Sequence, residues 1–157
     1  MARRVYLHIG TMKSATTYLQ QWGDVNRERL AEAGVLYPEL GVPFAAANDL
    51  LGRTASRRET AGAWAELDRQ FRQHDGDAIF SNELLATLAP RKIARRVSAF
   101  GPAEVRVVMT ARDLARVIPS QWQTTLKNGS TRTWSQFATA VCSESTEPSV
   151  ATRGQRR

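Results

Sequence analysis

The sequence is poor in cysteine, since its 157 residues contain only Cys142. One thiol cannot form an internal disulfide, so a disulfide-stapled fold is excluded and a reducing compartment is favoured. Neither His8 nor His74 can be placed beside Cys142 from the sequence, and a buried thiol is therefore a better interpretation than a catalytic nucleophile.

Long apolar runs are also missing. No stretch is long enough to span a bilayer, so no transmembrane segment is expected. Arg3 and Arg4 precede a short apolar segment that runs into Lys, Ser and Thr residues instead of a cleavage site, which makes it a poor signal peptide. We therefore expect a cytoplasmic protein.

Acidic residues are outnumbered by basic ones. The chain has 22 Lys and Arg against 15 Asp and Glu, a formal net charge of +7. Most of the excess is arginine, which suits phosphate or sulfate, although a solvated basic surface explains the same composition. The basic cluster at residues 91–96 leaves a nucleic-acid-binding module open as an alternative, but no interleaved aromatics or known binding motif supports it.

Apolar periodicity predicts strands alternating with helices. Strands are predicted at residues 3–9, 77–80 and 105–109, and helices at 16–33, 91–100, 113–127 and 134–141, with a further helix through Ala61, Trp64, Leu67 and Phe71. Residues 41–58 are predicted to be irregular because their Gly, Pro and Asn residues are read as breaks. Gly34 is predicted to follow the end of the helix at 16–33, and Pro119 is expected to disturb its helix. This order predicts an α/β fold, a three-layer sandwich around a central parallel sheet, over residues 1–141 with a tail at 142–157.

The most informative segment follows the first predicted strand. Gly10 is followed by Lys13, Ser14, Thr16 and Thr17 at the start of the next helix. In that position successive backbone N–H groups and the positive end of the helix dipole can surround an anion, while the lysine and the hydroxyls add donors. An ordinary strand–helix connection needs no such combination, so we interpret the segment as a phosphate-binding loop.

This loop resembles the 5′-phosphosulfate loop of sulfotransferases that use 3′-phosphoadenosine 5′-phosphosulfate (PAPS). The family pattern is Pro-Lys-Ser/Thr-Gly-Thr-Ser/Thr. The chain has Met12-Lys13-Ser14-Ala15-Thr16-Thr17. Met12 replaces the proline and Ala15 the glycine, and the alanine fits only if that position avoids positive φ. The second glycine that a Walker A loop requires before its lysine is absent.

A second motif after the strand at 105–109 resembles the 3′-phosphate site of the same family. That site has Arg-Asp/Asn-Pro with a serine eight residues after the arginine, as Ser120 follows Arg112 here. Leu114 replaces the usual proline, and Trp122 supplies an aromatic residue that the family pattern also has. Two such motifs in the right order, each after a strand, are improbable by chance.

The resemblance implies the P-loop-like sulfotransferase fold, with PAPS as sulfuryl donor, no metal, and a hydroxyl or amine of a small-molecule, lipid or carbohydrate acceptor. It implies that Lys13 neutralises the leaving phosphate and that Glu83 is the catalytic base. It implies that the 3′-phosphate is clamped by Arg112 and Ser120. The 5′-phosphate is assigned to Lys13, Ser14, Ala15, Thr16 and Thr17. Members of the family usually run longer, so part of the C-terminal half is expected to be missing.

Other functions remain open at this point. A P-loop kinase-like phosphotransferase would need Mg²⁺ ligands: Ser14 meets the requirement for a Ser or Thr directly after the lysine, and Asp113 or Glu83 could imitate the Walker B aspartate. A catalytically silent nucleotide-binding protein fits the same loop. A histidine base is disfavoured because His74 precedes its strand and His8, inside the first strand, is expected to be a hydrogen-bonded core residue.

Overall fold

A computed structural model of the protein describes residues 1–52 and 60–144. The chain forms two compact units, Met1–Arg112 and Asp113–Arg157. The first unit contains the sheet and the second contains two helices. The predicted extent of a functional domain, residues 1–141, stays a prediction, and residues 145–157 of the predicted tail lie outside the described residues.

The sheet has four parallel strands in the order β2-β3-β1-β4. They are β1 (Arg4–His8), β2 (Val35–Leu36), β3 (Asp77–Ser81) and β4 (Glu104–Val108). The central strand β1 pairs with β3 and β4, so that His8 lies beside Ser81 on one side and Val108 on the other. The three predicted strands and the parallel α/β arrangement are confirmed, whereas the two-residue β2 was not predicted.

Helices connect the strands in the first unit. They are α1 (Thr16–Val25), α2 (Arg27–Glu32), α3 (Val42–Leu51), α4 (Ala63–Gln73), a 3₁₀ helix (Glu83–Thr87) and α5 (Pro90–Ala99). The second unit contains α6 (Leu114–Lys127) and α7 (Trp134–Glu144). None of the helices in the described part of the chain has the length and apolar character needed to cross a membrane.

The prediction that residues 41–58 are irregular was wrong for α3. Gly41, with φ of 97°, immediately precedes the helix, and Gly52, with φ of 64°, ends it. Pro43 lies in the first turn, where a missing N–H removes no intrahelical hydrogen bond. Gly41 and Gly52, which were read as breaks, therefore lie at the two ends of a helix. Residues 53–59 lie outside the described residues.

The single helix predicted at 16–33 is two helices. The chain bends at Asn26, whose side-chain amide donates a hydrogen bond to the carbonyl of Trp22 at 2.8 Å. An asparagine side chain that bonds to a nearby backbone carbonyl favours such a break. Gly34, predicted to follow the end of this helix, has the expected left-handed φ of 74°.

The core of the first unit lies against the sheet and is rich in aromatic rings. Trp64 and Phe71 of α4 are buried, as the helical spacing predicts. Trp64 packs edge-on against Phe80 of β3, with ring centroids 5.8 Å apart, and against Phe100 at the same distance. These aromatics are core residues.

In the second unit, α6 runs unbroken through Pro119, contrary to the expected disturbance. An internal proline removes one hydrogen bond without necessarily ending a helix. The indole of Trp122 donates to the carbonyl of Arg132 at 3.0 Å and packs on Trp134 at 5.6 Å. Cys142, interpreted as a buried thiol, is instead exposed.

Candidate anion-binding site at the carboxyl ends of the strands

The candidate site lies where β1, β3 and β4 end. From β1 the chain leads to β2 at one edge of the sheet, whereas from β3 it leads to β4 at the opposite edge. Ligands of parallel α/β sheets bind where connections leave adjacent strands in opposite directions. The loop after β1 and Glu83 after β3 both lie at such a point.

The loop backbone is bent by two non-glycine residues with positive φ. Lys13 has φ of 68°, and Ala15 has φ of 69° and ψ of 19°. Ala15 thus has the left-handed conformation, so the expectation that this position avoids positive φ was wrong. A left-handed residue followed by a helical one makes a concave run of N–H groups, the arrangement that binds anions in phosphate loops.

The amino end of α1 has unpaired donors. No side chain caps this helix, and the N–H groups of Ala15, Thr16 and Thr17 donate to no group among the described residues. The hydroxyl of Thr16, which is 4% exposed, is also buried without a hydrogen-bond partner there. Burying the Thr16 hydroxyl unpaired is unfavourable, and together with the unpaired N–H groups of the helix N-terminus it indicates an anion.

The charges around the loop favour the same ligand. Lys13 forms no ion pair with the described residues. The first turn of α1 carries no acidic residue, and the first carboxylate along the chain is Asp24. The loop and the first turn of α1 therefore contribute no negative charge of their own against the helix dipole and the lysine.

A chain of hydrogen bonds lies beneath the loop. His8 Nδ1 is 2.8 Å from the hydroxyl of Ser81, and His8 Nε2 is 2.9 Å from that of Thr110. The Thr110 hydroxyl lies 2.9 Å from that of Ser14, which in turn donates to the carbonyl of Thr11. His8 is therefore a hydrogen-bonded, buried residue, as expected, and its burial lowers its pKa against an opposite effect of the Glu83 charge.

Gly10 has no side chain, which leaves room for the Thr110 hydroxyl and His8 Nε2. A Cβ atom at Gly10 would lie 2.2 Å from the Thr110 hydroxyl and 2.9 Å from His8 Nε2. Both distances are shorter than van der Waals contact, so any side chain would push the two groups away. The glycine is needed for close approach.

The segment carrying Arg112 joins the loop through the backbone. The N–H of Ile9 donates to Val108 at 2.9 Å, and the N–H of Thr11 donates to Thr110, also at 2.9 Å. Arg112 follows Thr110 by two residues and is exposed. It forms no ion pair with a described residue. The two segments singled out in the sequence thus meet at one edge of the sheet.

Glu83 is held at the same edge by its neighbour. The N–H of Asn82 donates to the carbonyl of His8 at 3.0 Å, and its side-chain oxygen accepts from the N–H of Leu84 at 2.9 Å. Glu83 is half-buried, and its Oε2 is buried without a partner among the described residues. A carboxylate oxygen in that state is available to accept a proton or a hydrogen bond.

Two of the predicted site residues, Ser14 and Ser120, have contacts that the sequence did not predict. The hydroxyl of Ser14, assigned to the 5′-phosphate, is already bonded to Thr11 and Thr110. Ser120 belongs to the second unit, where its carbonyl accepts from the Thr124 hydroxyl within α6 at 3.1 Å, and its phosphate role stays a prediction. Thr110 received no role from the sequence, although its place just after the predicted strand at 105–109 was a usable signal.

Comparisons of the chain with models of known protein families, with curated proteins and with solved structures gave no match. No cluster of three or more His, Cys, Asp or Glu side chains suited to a metal ion occurs within residues 1–52 and 60–144.

Proposed function

We propose that the protein is a sulfotransferase that moves a sulfuryl group from PAPS to a hydroxyl or amine of a small-molecule, lipid or carbohydrate acceptor. The observation that carries the proposal is the uncapped start of α1, where unpaired N–H groups, the buried Thr16 hydroxyl and Lys13 converge. The specific donor comes from the resemblance of residues 12–17 and of Arg112 to the two phosphate motifs of PAPS-dependent enzymes.

The reaction assigns distinct tasks to these groups. The N–H groups of residues 15–17 and the Thr16 hydroxyl hold the 5′-phosphate, while Arg112 binds the 3′-phosphate that other adenine nucleotides lack. As the acceptor oxygen or nitrogen bonds to sulfur, the bond between sulfur and the 5′-phosphate oxygen breaks. Lys13 neutralises the charge that develops on that departing oxygen.

The acceptor must lose its proton during the attack. Glu83 is the proposed base, because its Oε2 is buried just past the end of β3 and has no hydrogen-bond partner among the described residues. The proton moves to this carboxylate and the products are the sulfated acceptor and 3′-phosphoadenosine 5′-phosphate (PAP). General base catalysis of this kind contributes about 10²- to 10⁴-fold to the rate.

Thermal denaturation with nucleotides tests the donor site. The proposal predicts stabilisation by PAP without magnesium and much less by adenosine 5′-phosphate or by ATP with Mg²⁺. Lys13→Ala should reduce the PAP-induced shift, whereas Lys127→Ala, a matched change at an exposed lysine in the second unit, should leave it unchanged. Stabilisation by ATP with Mg²⁺ but not by PAP would instead favour a phosphotransferase.

A further inference from the structure

Ser14 occupies a special place in the loop. It lies between Lys13 and Ala15, the two residues with positive φ. Its N–H and its hydroxyl both donate to the carbonyl of Thr11, at 3.1 and 2.5 Å, and the side chain is buried at 6% exposure. Because Ser14 separates the two strained residues, whatever fixes Ser14 fixes the conformation of both.

The direction of each hydrogen bond in the chain beneath the loop follows from the number of protons. Ser14 donates its only hydroxyl proton to Thr11, so the Thr110 hydroxyl must donate to Ser14. Thr110 then accepts from His8, which requires a proton on Nε2. Nδ1 of the neutral ring is left to accept from the hydroxyl of Ser81.

We propose that Thr110 and His8 are positioning residues, which anchor Ser14 and thereby keep the loop N–H groups directed at the bound anion. The Ser14 hydroxyl belongs to this anchor and not to the ligand. The chain of hydrogen bonds connects the ends of three strands to the loop: Ser81 ends β3, His8 ends β1, and Thr110 follows β4. Only the identity of the anion rests on the proposed function.

Two features indicate that this arrangement serves the loop. Left-handed conformations of residues other than glycine persist only where the surrounding structure enforces them, and the described contacts of Ser14 supply that constraint. Gly10, where any Cβ would strike the Thr110 hydroxyl at 2.2 Å, leaves the space that the contact needs. Neither feature would be required if Thr110 only filled volume.

The test compares Thr110→Val, which keeps the shape and removes the hydroxyl, with Thr110→Ser, which keeps the hydroxyl. Amide hydrogen exchange is measured in the full chain without ligand. Loss of one anchoring hydrogen bond should speed exchange at the Thr11 and Ser14 amides about tenfold in Thr110→Val, with Thr110→Ser close to wild type. The Ile9 amide, bonded to Val108, is the internal control and should not change.

Equal exchange at the loop amides in wild type and Thr110→Val would overturn the proposal, as would equal acceleration in both variants. The ¹⁵N shifts of the His8 ring give an independent check that needs no variant. They should report a proton on Nε2, and a neutral ring protonated only on Nδ1 would contradict the assigned directions.

Titration calorimetry with PAP then connects the anchor to binding. Affinity should fall about tenfold in Thr110→Val and remain within about twofold of wild type in Thr110→Ser, measured where all three proteins are folded. Unchanged affinity in Thr110→Val would remove the link to ligand binding. Failure of the wild-type protein itself to bind PAP would contradict the proposed function, while the exchange data would still decide the positioning roles.

Discussion

Replacing Ala15 by glycine, the residue at this position in the phosphate-loop pattern that the segment resembles, should stabilise the protein. The φ of 69° and ψ of 19° of Ala15 lie in the left-handed region, where a Cβ atom approaches the following carbonyl oxygen. The side chain is exposed, so removing its methyl group loses little packing. Replacement therefore changes mainly the backbone conformational energy.

The size of the effect is a difference between two terms. Left-handed backbone costs a residue with a Cβ about 1–2 kcal/mol, which glycine does not incur. Glycine increases the conformational freedom of the unfolded chain, which opposes this gain by about 0.4–1 kcal/mol. The net expectation for Ala15→Gly is a free energy of unfolding higher by about 1 kcal/mol.

Urea denaturation of the wild type, Ala15→Gly and Ala94→Gly measures this change in the free energy of unfolding. Ala94→Gly is the matched control, because Ala94 is exposed in the interior of α5 and glycine should destabilise it there by about 1 kcal/mol. The two identical substitutions should therefore shift the transition midpoint in opposite directions. A midpoint for Ala15→Gly equal to or below that of wild type would refute the left-handed conformation of the loop.

Three further outcomes are expected. Gly23→Ala should destabilise by about 1–3 kcal/mol in denaturant titration despite its better helix propensity, because its Cβ would lie 2.2 Å from the Tyr37 ring; an unchanged midpoint would contradict this contact. The hydrogen bond from Arg4 lowers the pKa of Asp77. The Asp77 carboxylate therefore stabilises the folded state fully above about pH 4, and this contribution is lost as the pH falls. Asp77→Asn should accordingly flatten the acid side of the stability curve, and an equally steep loss would refute the pairing. Glu83→Gln should slow sulfuryl transfer about 10²- to 10⁴-fold with PAP affinity retained, and a rate near wild type would exclude it as the base.

The sequence was sufficient for the elements with a strong pattern. The run from Val5 to Ile9 indicates a buried strand and the valines around Val105 indicate a second strand, although β4 is largely exposed. The spacing of Trp64, Leu67 and Phe71 indicates the buried face of a helix. Prediction failed where glycines lie at the ends of a helix. Gly41 and Gly52 were read as interruptions, although each lies at a helix terminus where positive φ is favourable.

The site was predictable in composition but not in its internal contacts. The order of Lys, Ser and Thr residues after a strand indicates a phosphate loop from the sequence alone. The bond between His8 and Thr110 joins residues 102 positions apart and depends on the register of β1 with β4, which no local pattern specifies. The left-handed Ala15 could not be expected either, since alanine normally avoids that conformation.

A crystal structure of the protein with PAP tests the central claim most directly. We expect the 5′-phosphate within hydrogen-bond distance of the N–H groups of residues 15–17 and of the Thr16 hydroxyl, with the 3′-phosphate against the Arg112 guanidinium. A nucleotide bound elsewhere, or bound at the loop with its 3′-phosphate directed away from Arg112, would contradict it.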